Sequence, residues 1–400
     1  MNVDQTTWPP APNLPAFPPE FTAGSQIWDV NIPALLLAIG YLTTPSYASG
    51  VSLSEYWAWV RYIHALVDSA DFQLTKSFHE LDAHQKTILS DDFGMGAPIY
   101  WLFQKLQIGP IADGKYFIDR MHATIGFTAV GTKKQGPQKS PDFVAQDLNG
   151  VWHVIECKGT QTSLAYRKKQ LGIGAQVPSG ALAQKQTINF PNGHTGQKLA
   201  TGLFIGVEGD RNTSELLIID PEGEGVGSVS ETDLDFASDA ISRGVSGRVL
   251  RLAGFPDTSS LVAAPAGTGP KAKAYKGSRF ESMRTRIVDQ KRNRAKEELD
   301  RKSDRIAFVS NGKSYIGRKI KMDLAKAVRI NGRVSNSVIL EYGVENEFLN
   351  FVEHRALNID ALSEPLSDMH ALQTRTVLEG STRSAQLSIG DAFVSKMTFN

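Results

Sequence analysis

The stretch SPDFVAQDLNGVWHVIECKGTQ, Ser140 to Gln161, decides how this chain is read. Two apolar, β-rich runs flank Asn149-Gly150, the residue pair that best tolerates the positive φ of a tight hairpin turn. Residues paired across an antiparallel hairpin sum to a constant. A sum of 298 sets Asp142 opposite Glu156, whereas a two-residue turn at Asn149-Gly150 makes it 299 and sets Asp142 opposite Cys157. Both registers bring Asp142 close to Glu156, but only the first puts the two carboxylates on one face. Side chains alternate along a strand, so Glu156 and Lys158 share a face and Cys157 points to the other, where it can be buried. The preceding VWHVI is apolar on both faces apart from His153, as in an interior strand. Charges at the end of such a strand are costly unless they pair or bind something.

One ligand accounts for all three groups. Two carboxylates suit Mg²⁺, a hard ion that prefers oxygen and retains waters. Such an ion acidifies water and stabilises charge on a phosphate oxygen. A lysine two residues on can orient that water, help deprotonate it, or balance the developing charge. The set is suited to hydrolysing a phosphodiester.

Pro141-Asp142 followed by Glu156-x-Lys158 at the end of an apolar strand resembles the PD-(D/E)xK nuclease superfamily, the restriction-endonuclease-like fold. The likeness covers roughly residues 115–220. It implies Asp142 and Glu156 as metal ligands, the backbone carbonyl of Cys157 as another, and Lys158 as the catalytic lysine. Gly159-Thr160 after the lysine also resembles family members. Many of these carry a Gln or Lys facing the site from a downstream helix, for which Lys169, Gln170 and Gln176 are the candidates. Family members often add an acid from a helix before the first strand. Between 96 and 141 there is no Glu; Asp119 is better placed than Asp113, and Glu80 is more remote. The number of metals, one or two, stays open.

The resemblance implies a Mg²⁺-dependent DNA endonuclease of restriction or anti-phage defence type, with Mn²⁺ able to substitute and RNA as another possible substrate. By analogy it implies a homo-oligomer, because a duplex has two strands to cut. A catalytically silent nuclease-like scaffold, or a nucleic-acid-binding subunit of a larger defence assembly, is the alternative.

Outside the hairpin, the pattern predicts an α/β protein in several parts. Residues 1–24 read as a Pro-rich tail, with six prolines in the first 20 residues. Residues 25–120 read as mainly helical: IPALLLAIGYL (32–42) as a buried helix, SLSEYWAWVRYIHALVDSA (52–70) as another, capped by Ser52 or Ser54, and GAPIYWLFQKLQI (96–108) as a third after a Gly-Pro boundary. Residues 121–255 form the expected nuclease core, a mixed sheet with strands at ATIGFTAVG, DFVAQDL, VWHVIECK, GLFIGVEG and ELLIIDPE. SLAYRKKQLGIGAQVPSGALAQKQ, between the third and fourth, starts helical and breaks at Gly and Pro. Residues 256–278 have linker composition. Residues 279–400 read as a separate α+β domain that opens with a charged helix and continues into a hairpin at Asn311-Gly312.

Composition narrows the function classes. The 400-residue chain is 41% hydrophobic and 21% charged, with net charge +1, so a nucleic-acid surface must come from local clustering. Residues 271–305 hold 13 Lys and Arg against 6 Asp and Glu, and residues 311–333 hold 7 against 1. Lys313, Arg318, Lys319, Lys321, Arg329 and Arg333 are therefore the candidate phosphate contacts. The single cysteine excludes an intramolecular disulfide and zinc sites needing two or more cysteines. The eight histidines show no HExxH or HxH spacing, and His153 reads as a core residue. NGKS (311–314) lacks the upstream glycine of a P-loop, since Ala307 stands there. No GxSxG appears. The opening residues lack the basic start and apolar run of a signal peptide, and the expectation is a cytoplasmic protein without membrane contact.

Overall fold

The computed structural model describes all residues except 11–14, 48–57, 68–70, 130–139, 177–178, 222–226, 265–277, 331, 358–369 and 373. In chain order it contains β1 (Asn2–Val3), β2 (Gly24–Ser25), α1 (Ile32–Leu42), a 3-10 segment at Ala58–Ala65, β3 (Gln73–Leu74), α2 (Lys76–His79), α3 (Ala83–Lys105), β4 (Ile108–Asp113), α4 (Gly114–Ile125), β5 (Phe143–Asp147) and β6 (Trp152–Thr160). There follow α5 (Leu164–Leu171), α6 (Gly180–Lys185), β7 (Thr195–Phe204), β8 (Gly206–Val207), β9 (Glu215–Ile219), α7 (Leu234–Leu252) and α8 (Pro256–Val262). The last part holds α9 (Ser278–Asp300), β10 (Ile306–Ser310), β11 (Lys313–Ile330), β12 (Arg333–Glu345), α10 (Asn346–Leu357), β13 (Val377–Gly380), β14 (Ser384–Ile389) and β15 (Phe393–Phe399).

The strands form a mixed seven-stranded sheet in the order β2-β1-β9-β7-β6-β5-β4, a separate antiparallel sheet in the order β10-β11-β12-β15-β14-β13, and a small β3-β8 pair. The strands β4, β5 and β6 run antiparallel in succession. β6 then pairs with β7 in parallel, which requires the crossover that α5 and α6 supply. Alternation along β6 divides the core. Ile155 and Cys157 face the layer of α1 and α3, whereas Trp152 and Val154 pack with Phe117 of α4, Phe190 and the first half of α7.

Local chemistry explains the main helices. Asn31 caps α1 by accepting the Ala34 N–H at 2.9 Å, and every residue from Pro33 to Leu42 is buried. Asp82 caps α3 through the N–H groups of His84 and Gln85 at 2.9 and 3.1 Å. α3 then runs straight through Pro98, so the expected helix start at the Gly-Pro boundary is incorrect. A proline inside a helix removes one main-chain bond. Here the flanking residues Ala97 and Ile99–Phe103 are buried, and packing outweighs that loss.

Further sequence expectations are corrected. The first residues are not a tail. β1 pairs in parallel with β9, and Val3, Trp8 and Phe21 are buried in the main core. Aromatic residues between the prolines explain this: Trp8, Phe17 and Phe21 pack edge to face, with centroids 5.0–6.2 Å apart. ATIGFTAVG is not a strand; its first residues end α4 at Gly126, φ 76°, and 130–131 lie outside the described residues. The sheet's outer strand is β4, which the reading placed in the helical region. The supposed linker begins with α8, whose Leu261 and Val262 are buried. The second sheet shares one continuous apolar core with the first: Leu340, Leu387 and Phe393 belong to the same cluster as Leu35 of α1 and Ile155 of β6. Tyr56, Trp57, Ser52 and Ser54 lie outside the described residues. The hairpin at Asn311-Gly312 is as expected, with φ 51° and 76°.

Among the described glycines, one of the closest approaches joins α3 to the end of β6. A Cβ added to Gly159 would land on the Ser90 carbonyl, and one added to Gly94 would sit 2.6 Å from the Gly159 nitrogen. Gly159→Ala should therefore force α3 away from the sheet and cost roughly 1–3 kcal/mol, the usual penalty for overpacking. Chemical denaturation of that variant beside Gly150→Ala, whose Cβ meets open space at φ 77°, separates the packing clash from simple loss of a turn glycine.

Candidate active site

The β5–β6 register resolves the sequence ambiguity. Phe143 pairs with Ile155 and Val144 with Val154, a sum of 298, so the next position outward sets Asp142 opposite Glu156. The turn is longer than two residues. Asp147 accepts the N–H groups of Asn149 and Val151 through one carboxylate oxygen, at 2.8 and 2.9 Å, and Gly150 adopts φ 77°.

The three signature groups meet at the mouth of β6. The Asp142 N–H donates to Glu156 Oε2 at 3.0 Å. The Cys157 N–H donates to Asp142 Oδ2 at 2.7 Å. Lys158 Nζ donates to Glu156 Oε1. Asp142 is held from outside as well. Its carbonyl accepts the Gly114 N–H at 2.9 Å, and a side chain at Gly114 would strike Pro141. The Pro-Asp dipeptide is thus clamped by the start of α4.

The electrostatics are those of a crowded anionic pair with one cation. Glu156 has no solvent-accessible surface, and its carboxyl is pushed well above the ordinary range, first by burial and then by Asp142, with Lys158 opposing. Asp142 is raised by burial, against the pull of Lys158 and the Cys157 N–H. Burial works to lower Lys158, but Glu156 and Asp142 outweigh it, and the side chain is held as an ammonium. Cys157 is buried and its thiol is raised well above its usual value, so its side chain is a poor ligand and its role is packing.

A fourth group was missed in the sequence. Asp91 on α3 has a carboxyl raised by burial, with Lys158 opposing the shift and Asp142 adding to it. It follows Ser90, the residue that touches Gly159, so the close helix-strand contact delivers it. The signal available was SDDFGMG, two acids among small residues in the helix before β4. Asp119 does not join the site. It is exposed and pairs with Lys115 at 2.6 Å, one turn back on α4. Asp113 is the acid from that segment felt by Asp142, and it is engaged by Arg248 and the Ser46 N–H. Glu80 ends α2.

Of the supporting candidates, Gln170 approaches the site, with Nε2 3.5 Å from the Gly159 carbonyl and a buried Oε1 that has no hydrogen-bond partner among the described residues. Lys169 and Gln176 are exposed. Gln161 was not expected; it ties the strand end to α3 through the Lys86 carbonyl and Ser90 Oγ, at 3.0 and 2.9 Å.

The donor chemistry fits a hard divalent cation: Asp142, Glu156 and Asp91 offer only carboxylate oxygen, and the first two repel each other. Among the described residues no group of three or more His, Cys, Asp and Glu side chains stands already assembled around one point. Carboxylates now engaged with Lys158 and main-chain N–H groups would have to turn toward the ion.

The basic candidates divide by strand face. Arg318 faces inward, donates to the Leu252 carbonyl at 2.7 Å and lies over the Tyr342 ring, so it is a packing residue and not a phosphate contact. Lys319 pairs with Glu341 and Lys313 with Asp391, at 2.9 and 3.0 Å. Lys321, Arg329 and Arg333 are exposed on the β11–β12 hairpin. That hairpin runs beyond β15, which pairs β12 only from Val338 to Val344.

No family model, no curated protein and no solved structure matches the chain. No helix among the described residues is long and apolar enough to cross a membrane.

Lys158→Ala leaves Glu156 buried without its cation. Breaking a buried ion pair costs about 3–5 kcal/mol, and the partial exposure of Lys158 reduces this to roughly 1–3 kcal/mol. A carboxyl raised in the folded state favours the protonated form, so its penalty is absent below the ordinary value of 4.5, grows as pH rises above that, and levels off once pH passes the raised value. Thermal unfolding in EDTA should show the variant close to wild type in acid and progressively less stable as pH rises above 4.5, with the difference reaching a plateau once Glu156 is ionised.

Proposed function

We propose that the chain is a divalent-metal-dependent nuclease of the PD-(D/E)xK, restriction-endonuclease-like type, acting on DNA in restriction or anti-phage defence. The observation that carries this reading is the meeting of Asp142, Glu156 and Lys158, from two strands in the 298 register, at the end of a buried strand. Asp91, from the helix preceding β4, supports it by supplying the additional acid that the resemblance implies.

Asp142, Glu156 and the Cys157 carbonyl would hold Mg²⁺, or Mn²⁺ in its place, with Asp91 as a further oxygen donor. When bound, the ion supplies positive charge beside the scissile phosphate and an acidified water. Lys158 is held as an ammonium, so its part is to donate hydrogen bonds and offset the charge that develops on phosphorus-bound oxygen. It is not a free base while Glu156 holds it. Burial of Glu156 keeps that carboxylate from exchanging with water. Lys321 and Arg333 are exposed basic side chains of the β11–β12 hairpin that would meet phosphates.

A second reading has its own observation. The existing hydrogen bonds satisfy the carboxylates without a metal, as a catalytically silent scaffold or nucleic-acid-binding subunit would require. Plasmid cleavage in Mg²⁺, Mn²⁺ and EDTA separates the two. The nuclease reading expects Asp142→Ala, Glu156→Ala and Lys158→Ala each to lower the rate by about 100-fold or more, Asp91→Ala to lower it, and Asp119→Ala to leave it unchanged. Equal cleavage by all three signature variants would overturn the site. RNA beside DNA identifies the substrate.

For binding, Lys321→Glu with Arg333→Glu should weaken DNA affinity and reduce the slope of log affinity against log salt by about 1 per lost phosphate contact. Arg318→Ala should instead lower the unfolding temperature, because its contacts are internal. An unchanged salt slope in the double variant would remove the hairpin from the interface.

A further inference from the structure

The edges of the two large sheets are treated differently, and one of them is open. At one end of the main sheet, β4 is met by Thr376, whose N–H donates to the Ile108 carbonyl at 2.8 Å and whose Oγ1 donates to the Gly109 carbonyl at 2.7 Å. At the other end, β2 is only two residues long. In the second sheet, the end of β13 is filled by Asn31, which takes the space beside Gly380 and donates to the Ser381 carbonyl at 2.8 Å. The remaining edge is β10. Ile306, Ala307 and Val309 are exposed there, and Val309 keeps 70% of its surface.

An exposed sheet edge is usually protected by a charge, a proline or a bulge that prevents pairing with another chain. Ile306-Ala307-Phe308-Val309-Ser310 has no charge and no proline, and it pairs with β11 in an unbroken register. The turn sets the direction of its main-chain groups. Asn311 and Gly312, at φ 51° and 76°, close a two-residue hairpin. Ser310 and Lys313 therefore exchange both main-chain hydrogen bonds, as do Phe308 with Tyr315 and Ile306 with Gly317. Ala307 and Val309 turn their N–H and C=O groups away from β11. They flank Phe308 symmetrically. A second β10 running antiparallel about Phe308 sets Ala307 opposite Val309 of that copy, and every outward N–H then meets a C=O.

We propose that β10 pairs with β10 of a second copy of this chain, about a two-fold axis through Phe308, so that the second sheets of the two copies become one continuous sheet. Charge complementarity favours a second copy over an unrelated extended segment. Exposed Asp304 precedes the strand and exposed Lys313 follows it, and the two-fold axis brings each beside the other at both ends of the pairing. Phe308 meets its own counterpart at the axis. Its stack on Tyr315, 5.8 Å between centroids and 19° between planes, then extends into a row of rings from both copies. A net charge of +1 leaves little repulsion between copies. The pairing uses none of Asp142, Glu156 and Lys158, so it stands or falls independently of the nuclease reading.

Light scattering on the full chain in EDTA tests it, at about 100 µM, roughly 100-fold above a Kd of ~1 µM. The wild type should weigh twice the 43.7 kDa of one chain. Val309→Lys places a charge on the exposed edge without touching the core, and it should weigh one chain. A cysteine pair supplies a second readout. Facing residues of a non-hydrogen-bonded pair lie about 4.5 Å apart between Cα atoms, within disulfide reach. Copper-phenanthroline oxidation should therefore link Phe308→Cys into a covalent dimer. Val309→Cys, offset along the strand from its own counterpart, should stay unlinked. The natural Cys157 is buried and does not compete. A monomeric wild type, a dimer that persists in Val309→Lys, absence of cross-linking at 308, or cross-linking at 309 would each overturn the proposal.

Discussion

Glu156 is the constraint around which the main sheet is organised. A carboxyl group with no access to water is tolerated only if every neighbour helps to hold it. Asp142 offers a main-chain N–H, Lys158 offers an ammonium, and Asp142 in turn receives the Cys157 N–H. Each of these depends on one strand register. A slip of one residue would send Glu156 into the layer of α1 and α3, and Cys157 toward Asp142. The apolar face, the clamp on Pro141-Asp142 and the charged mouth of β6 thus select the same register.

The same strand end shows how packing delivers chemistry. Ser90, Gly94 and Gly159 allow α3 to lie directly on β6. Close approach of a helix to a strand normally serves the core. Here it also carries Asp91 to the edge of the carboxylate pair and gives Gln161 two partners on the helix. A larger residue at either glycine would alter both the packing and the acid's position. Two further acids and cations inside the fold, Asp113 with Arg248 and Asp220 with Lys185, are paired structural groups that carry no free charge to the surface. Lys185 illustrates the contrast with Lys158: its ammonium also reaches the Lys198 and Pro221 carbonyls, and its three donors are all used internally.

Local reading succeeded where the signal was local. The hairpin, its turn, the side-chain alternation on β6, helices α1, α5 and α9, and the Asn311-Gly312 turn all follow from short-range rules. It failed where a distant partner decides. The N-terminal segment has the composition of a tail, but Val3 gains a place in the sheet only because β9, more than 200 residues later, offers an unpaired edge. Pro98 marks a helix boundary by propensity, yet burial of its neighbours carries α3 through it. Arg318 counts as one basic residue among seven in its segment; only the facing of β11 turns it inward to the Leu252 carbonyl.

What the sequence determined by itself is the chemistry at one strand end: an aspartate, a glutamate and a lysine whose spacing across a turn permits a shared face. That follows because strand alternation and hairpin pairing are set by the backbone of adjacent residues. The tertiary structure decided which of two registers is adopted, which further acid joins, and which basic residues remain exposed. Those outcomes depend on long-range contacts between α3 and β6, between β11 and α7, and between the first residues and β9. Their strength comes from burial and close packing between elements far apart in the chain, a property that no short window of residues contains.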